Sequence, residues 1–162
     1  ICDEKDNVAC IRINIGQYSA PKLKTLMENN EIEKVFHYAR FDVAALKNGL
    51  GIEVNPIFCT KVASKLGRTY TPRHGLKDLI MELVGVELDK KSQSSDWGRV
   101  EELTKDQILY AANDVRYLLA ARTKLKLMLK REGRLELANR CFQSISVMSD
   151  LDIMHFGQIF EH

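Results

Sequence analysis

Cysteine pairs at metal-binding spacing are missing from this 162-residue chain. Cys2, Cys10, Cys59 and Cys141 lie far apart, which excludes a CxxC zinc cluster and signals no disulfide framework. A reducing cytoplasm is the expected setting. No apolar run approaches the roughly 20 residues of a membrane span, and no secretory h-region with a small-residue cleavage site opens the chain. Excess charge of one sign is missing too: 24 Lys+Arg stand against 22 Asp+Glu, so distribution matters more than the sum. There are no repeats, no low-complexity runs and no obvious linker. An initiating Met is also absent. Ile1 opens the chain, and a fragment or processed product is therefore expected. What remains, 45% apolar and 28% charged residues, suits one domain that buries a core without metal or disulfide staples.

Residues 8–15, VACIRINI, alternate and are β-branched, which predicts a strand. The polar run Asp3 to Asn7 before it reads as a hairpin turn. With almost nothing in front of that turn, a preceding strand is expected to have been cut away. Pro21 opens a helix through about Met27. A short strand is expected at 34–37, a helix from Phe41 to Leu50 ending at Gly49 or Gly51, and helices at 59–66 and 76–84. Residues 89–99 form a long polar loop. Thr104 with Gln107 makes a capping box for a helix reaching about Lys130, followed by a shorter one near 135–141. The pattern predicts an α/β domain over 1–145, with residues 146–162 a tail of unassigned structure.

Three groups of residues are able to carry chemistry. In His37-Tyr38-Ala39-Arg40-Phe41-Asp42 a strand gives way to a helix, placing Asp42 at the helix start and the sheet mouth. The ordinary role of a carboxylate there is to offset the helix dipole. In Tyr110-Ala111-Ala112-Asn113-Asp114 the spacing puts phenol and carboxylate on one helix face, one turn apart. A carboxylate on a face that should be buried is costly unless paired or metal-bound; the plainer alternative is a surface Asp bonded to the tyrosine. The third group is basic. Residues 61–77 contain Lys61, Lys65, Arg68, Arg73 and Lys77 with no acid, interleaved with Tyr70 and His74. Such a stretch suits a phosphate-bearing single strand, and Arg73, His74 and Lys77 are the candidate contacts. A second basic run, Arg122 to Arg134, reads more simply as a solvated helix face. Trp97, in the polar loop, serves equally well for stacking or for anchoring the loop.

Together these motifs resemble the DEDD superfamily of 3'-to-5' exonucleases, in its tyrosine-containing RNase D branch. HYARFD matches the family's motif ending in Asp, and YAANDVRYL matches its late Tyr-x-x-x-Asp helix. The block between, HGLKDLIMELVGVELDKKSQSSDW, resembles the RNase D stretch leading into that helix. FCTKVASKLGRTYTPRHGLK is similar to the short alphaproteobacterial nanoRNase C group, with Cys59 where RNase D proper tends to have Asp. The resemblance covers about residues 8–145.

The resemblance implies an RNase H-like α/β fold and metal-dependent hydrolysis of single-stranded RNA or very short oligoribonucleotides. It implies two Mg²⁺ or Mn²⁺ ions about 4 Å apart, held by oxygen ligands. Asp42 and Asp114 would be ligands, Tyr110 would orient the attacking water, and His37 and Phe41 would lie beside the terminal nucleotide. It also implies assembly into a homo-oligomer. One departure is large. The family's Asp-x-Glu motif, whose period-2 spacing puts both carboxylates on one side of a strand, does not occur in this sequence. Glu31-Ile32-Glu33 and Asp150-Leu151-Asp152 have the spacing in the wrong place. The expectation is a domain truncated at its N-terminus, with two of four metal-binding carboxylates.

Overall fold

The computed structural model describes residues 1–88 and 103–160. Helix α1 (Pro21–Glu28) begins with its proline in the first turn, where a missing N–H costs nothing. Strand β1 (Lys34–Phe36) follows, then helix α2 (Ala39–Leu50) and strand β2 (Ile57–Cys59). The two strands pair in parallel, in register Lys34–Ile57, Val35–Phe58 and Phe36–Cys59. Parallel neighbours need a crossover, and α2 supplies it. It stops at Gly51, whose φ of 62° is the left-handed cap geometry that suits glycine.

Five more helices complete the described chain: α3 (Thr60–Gly67), α4 (Leu76–Val84), α5 (Lys105–Arg116), α6 (Leu118–Arg131) and α7 (Leu135–Ile153). The core lies where α6 and α7 pack over β2 and α3. Phe58 of β2 meets Phe142 of α7 with ring centroids 4.7 Å apart, among the buried side chains Leu125, Leu129 and Ile145. The Thr104 capping box forms: its hydroxyl accepts from the Gln107 amide at 3.2 Å, and the Gln107 side chain accepts from the Thr104 amide at 2.8 Å.

The structure departs from the sequence pattern in four places. VACIRINI makes no ladder among the described residues. Only the isolated antiparallel bridge Cys2–Val8 forms, across a turn in which Asp3 Oδ1 accepts the Lys5 and Asn7 amides, each at 2.9 Å. Ile15 is 98% exposed. Alternation is realised as a strand only where a neighbour takes its backbone groups; here Ile1 exchanges hydrogen bonds with Ala9 in both directions at 2.9 Å, and among the described residues no bridge continues the pairing beyond that point. Cys59, expected to open a helix, instead ends β2. The single helix expected from Thr104 to Lys130 breaks at Tyr117, with φ −96° and ψ 0°. The short helix expected near 135–141 runs on to Ile153 and buries Ile145 and Ser149, so position 145 falls inside it. The polar loop at 89–99, with Trp97, lies outside the described residues.

Candidate active site and nucleic-acid interface

At the C-terminal end of β1 the chain turns sharply into α2. Tyr38 makes the turn in the left-handed region, at φ 71° and ψ 47°, a conformation that costs a side-chain-bearing residue about 1–2 kcal/mol. Lys61 of α3 sits 4.0 Å above the Tyr38 ring, a cation–π contact that helps hold it. One residue earlier, His37 Nδ1 lies 2.9 Å from Thr60 Oγ1. Thr60 gives its only proton to the Phe36 carbonyl at 3.1 Å, so His37 Nδ1–H must be the donor to Thr60. Burial, and then the Lys61 charge, push the His37 pKa down to about 4. The imidazole is therefore neutral near pH 7, with a bare lone pair on Nε2. Asp42, in the first turn of α2, is half-buried, and burial pushes its pKa up to about 6. Phe41 beside it is 70% exposed, a large apolar side chain open to solvent at the site's edge.

Helix α5 carries Tyr110 and Asp114. Burial raises the Asp114 carboxyl, and the Tyr110 phenol is raised by burial and then by the Asp114 charge. The Asp114 charge thus reaches the Tyr110 phenol one helical turn away. Asp42 and Asp114 share a property: among the described residues neither carboxylate side chain has an ion pair or a side-chain hydrogen bond. No charged neighbour enters the titration of Asp42, and none that of Asp114. Half-buried carboxylates without a charged partner are costly and collect at functional sites. As hard oxygen donors they fit Mg²⁺ or Mn²⁺ in kind. In number they fall short, since no group of three or more potential ligands converges among the described residues.

The basic loop between α3 and α4 is organised by a residue that its charge pattern alone misreads. Arg68, wholly buried, donates to Ser64 Oγ at 2.8 Å and to the Arg73 carbonyl at 2.8 Å, and pairs with Glu82. Tyr70 donates its hydroxyl to the same Glu82 carboxylate. Arg68 is thus the loop's internal strut, not a surface cation. His74 Nδ1 lies 2.9 Å from the shared Ser64 hydroxyl, and burial and then Arg68 lower its pKa. Arg73 is exposed. Lys77 is 3.5 Å from Glu87 Oε1, with 41% of its side chain exposed. Replacing Arg68 with Met should destabilise the protein by about 3 kcal/mol, the lower end for breaking a buried pair because Glu82 still reaches solvent. Urea unfolding checks this; a loss near zero would mean that the strut is dispensable.

A parallel strand pair with its crossover helix, a carboxylate at the strand mouth and a later helix carrying Tyr110 and Asp114 make this an α/β domain. A family model described as 3'-5' exonuclease matches residues 1–130, and the chain belongs to that family, in its RNase D-like branch. Ribonuclease D of Sphingobium indicum is 30% identical over 152 residues, which are 94% of this chain and 39% of that protein. The chain thus spans well under half the length of that relative. The fold superposes on Brucella melitensis NrnC with a TM-score of 0.89 at 45% identity, covering 93% of this chain and 74% of the other. That protein is also known with bound Mg²⁺ and bound to pGG. Escherichia coli RNase D, an exoribonuclease involved in structured RNA processing, superposes with a TM-score of 0.71 at 28% identity, covering 78% of this chain and 33% of the other.

Proposed function

We propose that the protein is a metal-dependent 3'-to-5' exoribonuclease that removes 5'-mononucleotides from single-stranded RNA or very short oligoribonucleotides. The observation that carries this reading is the pair of half-buried carboxylates without a charged partner among the described residues, Asp42 in the first turn of α2 and Asp114 on α5, with Tyr110 one helical turn from the second. Asp42 and Asp114 would hold two divalent ions, Mg²⁺ or Mn²⁺, together with an Asp-x-Glu pair that this chain does not contain. The chemistry supplied by metal held there would be Lewis-acid activation of water and charge neutralisation at the leaving oxygen. The Tyr110 hydroxyl orients that water and takes part in moving its proton. His37 Nε2 and the exposed Phe41 ring flank the terminal nucleotide, one accepting a hydrogen bond and the other stacking. The absence of Asp-x-Glu from all 162 residues favours a second reading for the chain as it stands, a non-catalytic RNA-binding or assembly remnant. Homo-oligomeric assembly and a cytoplasmic setting belong to the same proposal. No helix among the described residues is long and apolar enough to cross a membrane.

RNA binding, as distinct from cleavage, is assigned to the loop carrying Arg73, His74 and Lys77. The Arg68 strut fixes that loop, and α4 presents the positive end of its dipole nearby. Helix α6 is the rival surface, but its cations alternate with leucines, of which Leu125 and Leu129 are buried. A salt titration of single-strand binding decides between them. Arg73→Ala should weaken binding and reduce the salt slope by about one phosphate contact, whereas Lys126→Ala should do much less. Equal losses would move the RNA path to α6.

A further inference from the structure

The turn from His37 to Asp42 is gripped from behind by the end of α7. The Arg40 guanidinium forms a two-pronged pair with Asp152, Nε to Oδ2 and Nη2 to Oδ1 each at 2.5 Å. It also donates to the Gly157 carbonyl at 3.3 Å. The fully buried Ser149 hydroxyl lies 3.1 Å from the Arg40 carbonyl and 2.9 Å from the Ile145 carbonyl; its one proton serves both, so Arg40 is held chiefly through its guanidinium. The chain after α7 closes tightly over this pair: a Cβ placed on Gly157 would lie 2.7 Å from Asp152 Oδ1. Strand pairing fixes the segment at Phe36, and α7 fixes it again at Arg40. Between those anchors stands Tyr38 in its left-handed conformation, with His37 just before it and Asp42 in the first turn of the helix after it. Asp150, half a turn from Asp152 on the same helix, pairs instead with Lys47 at 2.5 Å.

We infer that Asp152 is a positioning residue for the site: through Arg40 it holds the strained turn that sets His37 against Thr60 and Asp42 at the mouth of the sheet. The inference rests on the site assignment above for its functional meaning, but the grip itself is measurable without it. Geometry carries the argument. The fork is bidentate, which fixes direction as well as distance, and it lies two residues from Asp42 and three from His37. Asp150–Lys47 joins the same two helices without touching the turn, so loss of general α2–α7 adhesion and loss of positioning separate cleanly.

The test is an NMR titration of the His37 imidazole in the 162-residue chain, with thermal melting recorded in parallel. In the wild type His37 titrates near 4. In Asp152→Asn the fork loses its charge and one acceptor, the turn relaxes, and the His37 midpoint should move up toward the ordinary value of 6.5. Asp150→Asn should leave it in place even if it lowers the melting temperature as much. Should Asp152→Asn fail to fold, Arg40→Lys keeps the charge, loses the fork and is expected to move His37 in the same direction. An unmoved His37 in folded Asp152→Asn or Arg40→Lys overturns the inference, as does an equal shift in Asp150→Asn. A moved His37 alongside unchanged exonuclease rates in an Asp-x-Glu-bearing form would uphold the grip while removing the site assignment.

Discussion

Asp114→Asn, introduced into a form of the protein that carries an Asp-x-Glu strand, should reduce turnover to background while leaving the fold intact. The amide keeps the shape of the carboxylate and loses its charge. A half-buried position that nothing among the described residues compensates should then lose its attraction for a cation. Asp42→Asn should behave alike. Loss of a direct ligand ought to exceed the 10–100-fold typical of groups that merely orient ligands. Tyr110→Phe removes only a hydroxyl, so a decrease of about 10²-fold is expected, in kcat far more than in KM. Single-turnover kinetics on a labelled dinucleotide separates these outcomes. Near-wild-type rates in Asp114→Asn would show that the aspartate is no ligand.

The second large effect is on stability, and it has opposite signs at His37 and Asp42. His37 titrates below its unfolded value, at about 4 against 6.5. Its contribution is fully present above 6.5 and is lost as pH falls through about 4. With each unit worth about 1.4 kcal/mol, the loss amounts to about 3 kcal/mol. Asp42 titrates above its unfolded value, at about 6 against 3.8. Its contribution is fully present below 3.8 and is lost as pH rises through about 6, amounting to about 2 kcal/mol after allowance for its partial exposure. In the wild type the two terms oppose each other between pH 4 and 6.5. Asp42→Asn should therefore be the more stable protein near pH 7 and should lose stability more steeply on acidification. His37→Gln should lose less than the wild type over the same interval. Urea unfolding of the three proteins at pH 4.5, 5.5 and 7 gives the differences, in which the remaining carboxylates cancel. Parallel curves for all three would mean that neither side chain is buried as described.

The elements that the sequence reveals are those whose stabilisation is local. Pro21 at a helix start, the Thr104–Gln107 box and Gly51 in the left-handed cap each act within one turn, and each appears where its pattern places it. The misreadings are of long-range origin. VACIRINI has strand composition, but a strand is defined by its neighbour. Ile57–Cys59 is only three residues long and becomes a strand because β1 lies alongside it. Nothing local announces the break at Tyr117, which has neither proline nor glycine beside it. The site divides in the same way. Asp42, Tyr110 and Asp114 are visible as motif residues, and all three side chains lie half-buried. Arg68, read as one more cation in a basic loop, turns inward because Ser64, Glu82 and the Arg73 carbonyl wait there. Asp152, half of an acidic pair away from the Asp-x-Glu position, reaches Arg40 across 112 positions of sequence, a partnership no spacing rule contains.

Asp42, Tyr110 and Asp114 are proposed to form part of a metal-dependent site that Asp-x-Glu completes. The most direct measurement is a nuclease assay with Mg²⁺ or Mn²⁺ on a 3'-labelled dinucleotide and a 20-mer RNA. It compares the 162-residue chain with a form extended by a strand bearing Asp-x-Glu. The expected result is release of 5'-mononucleotides from the 3' end by the extended form alone, abolished by chelation and by Asp114→Asn. Robust metal-dependent digestion by the 162-residue chain itself, or by the extended form carrying Asp114→Asn, would contradict it.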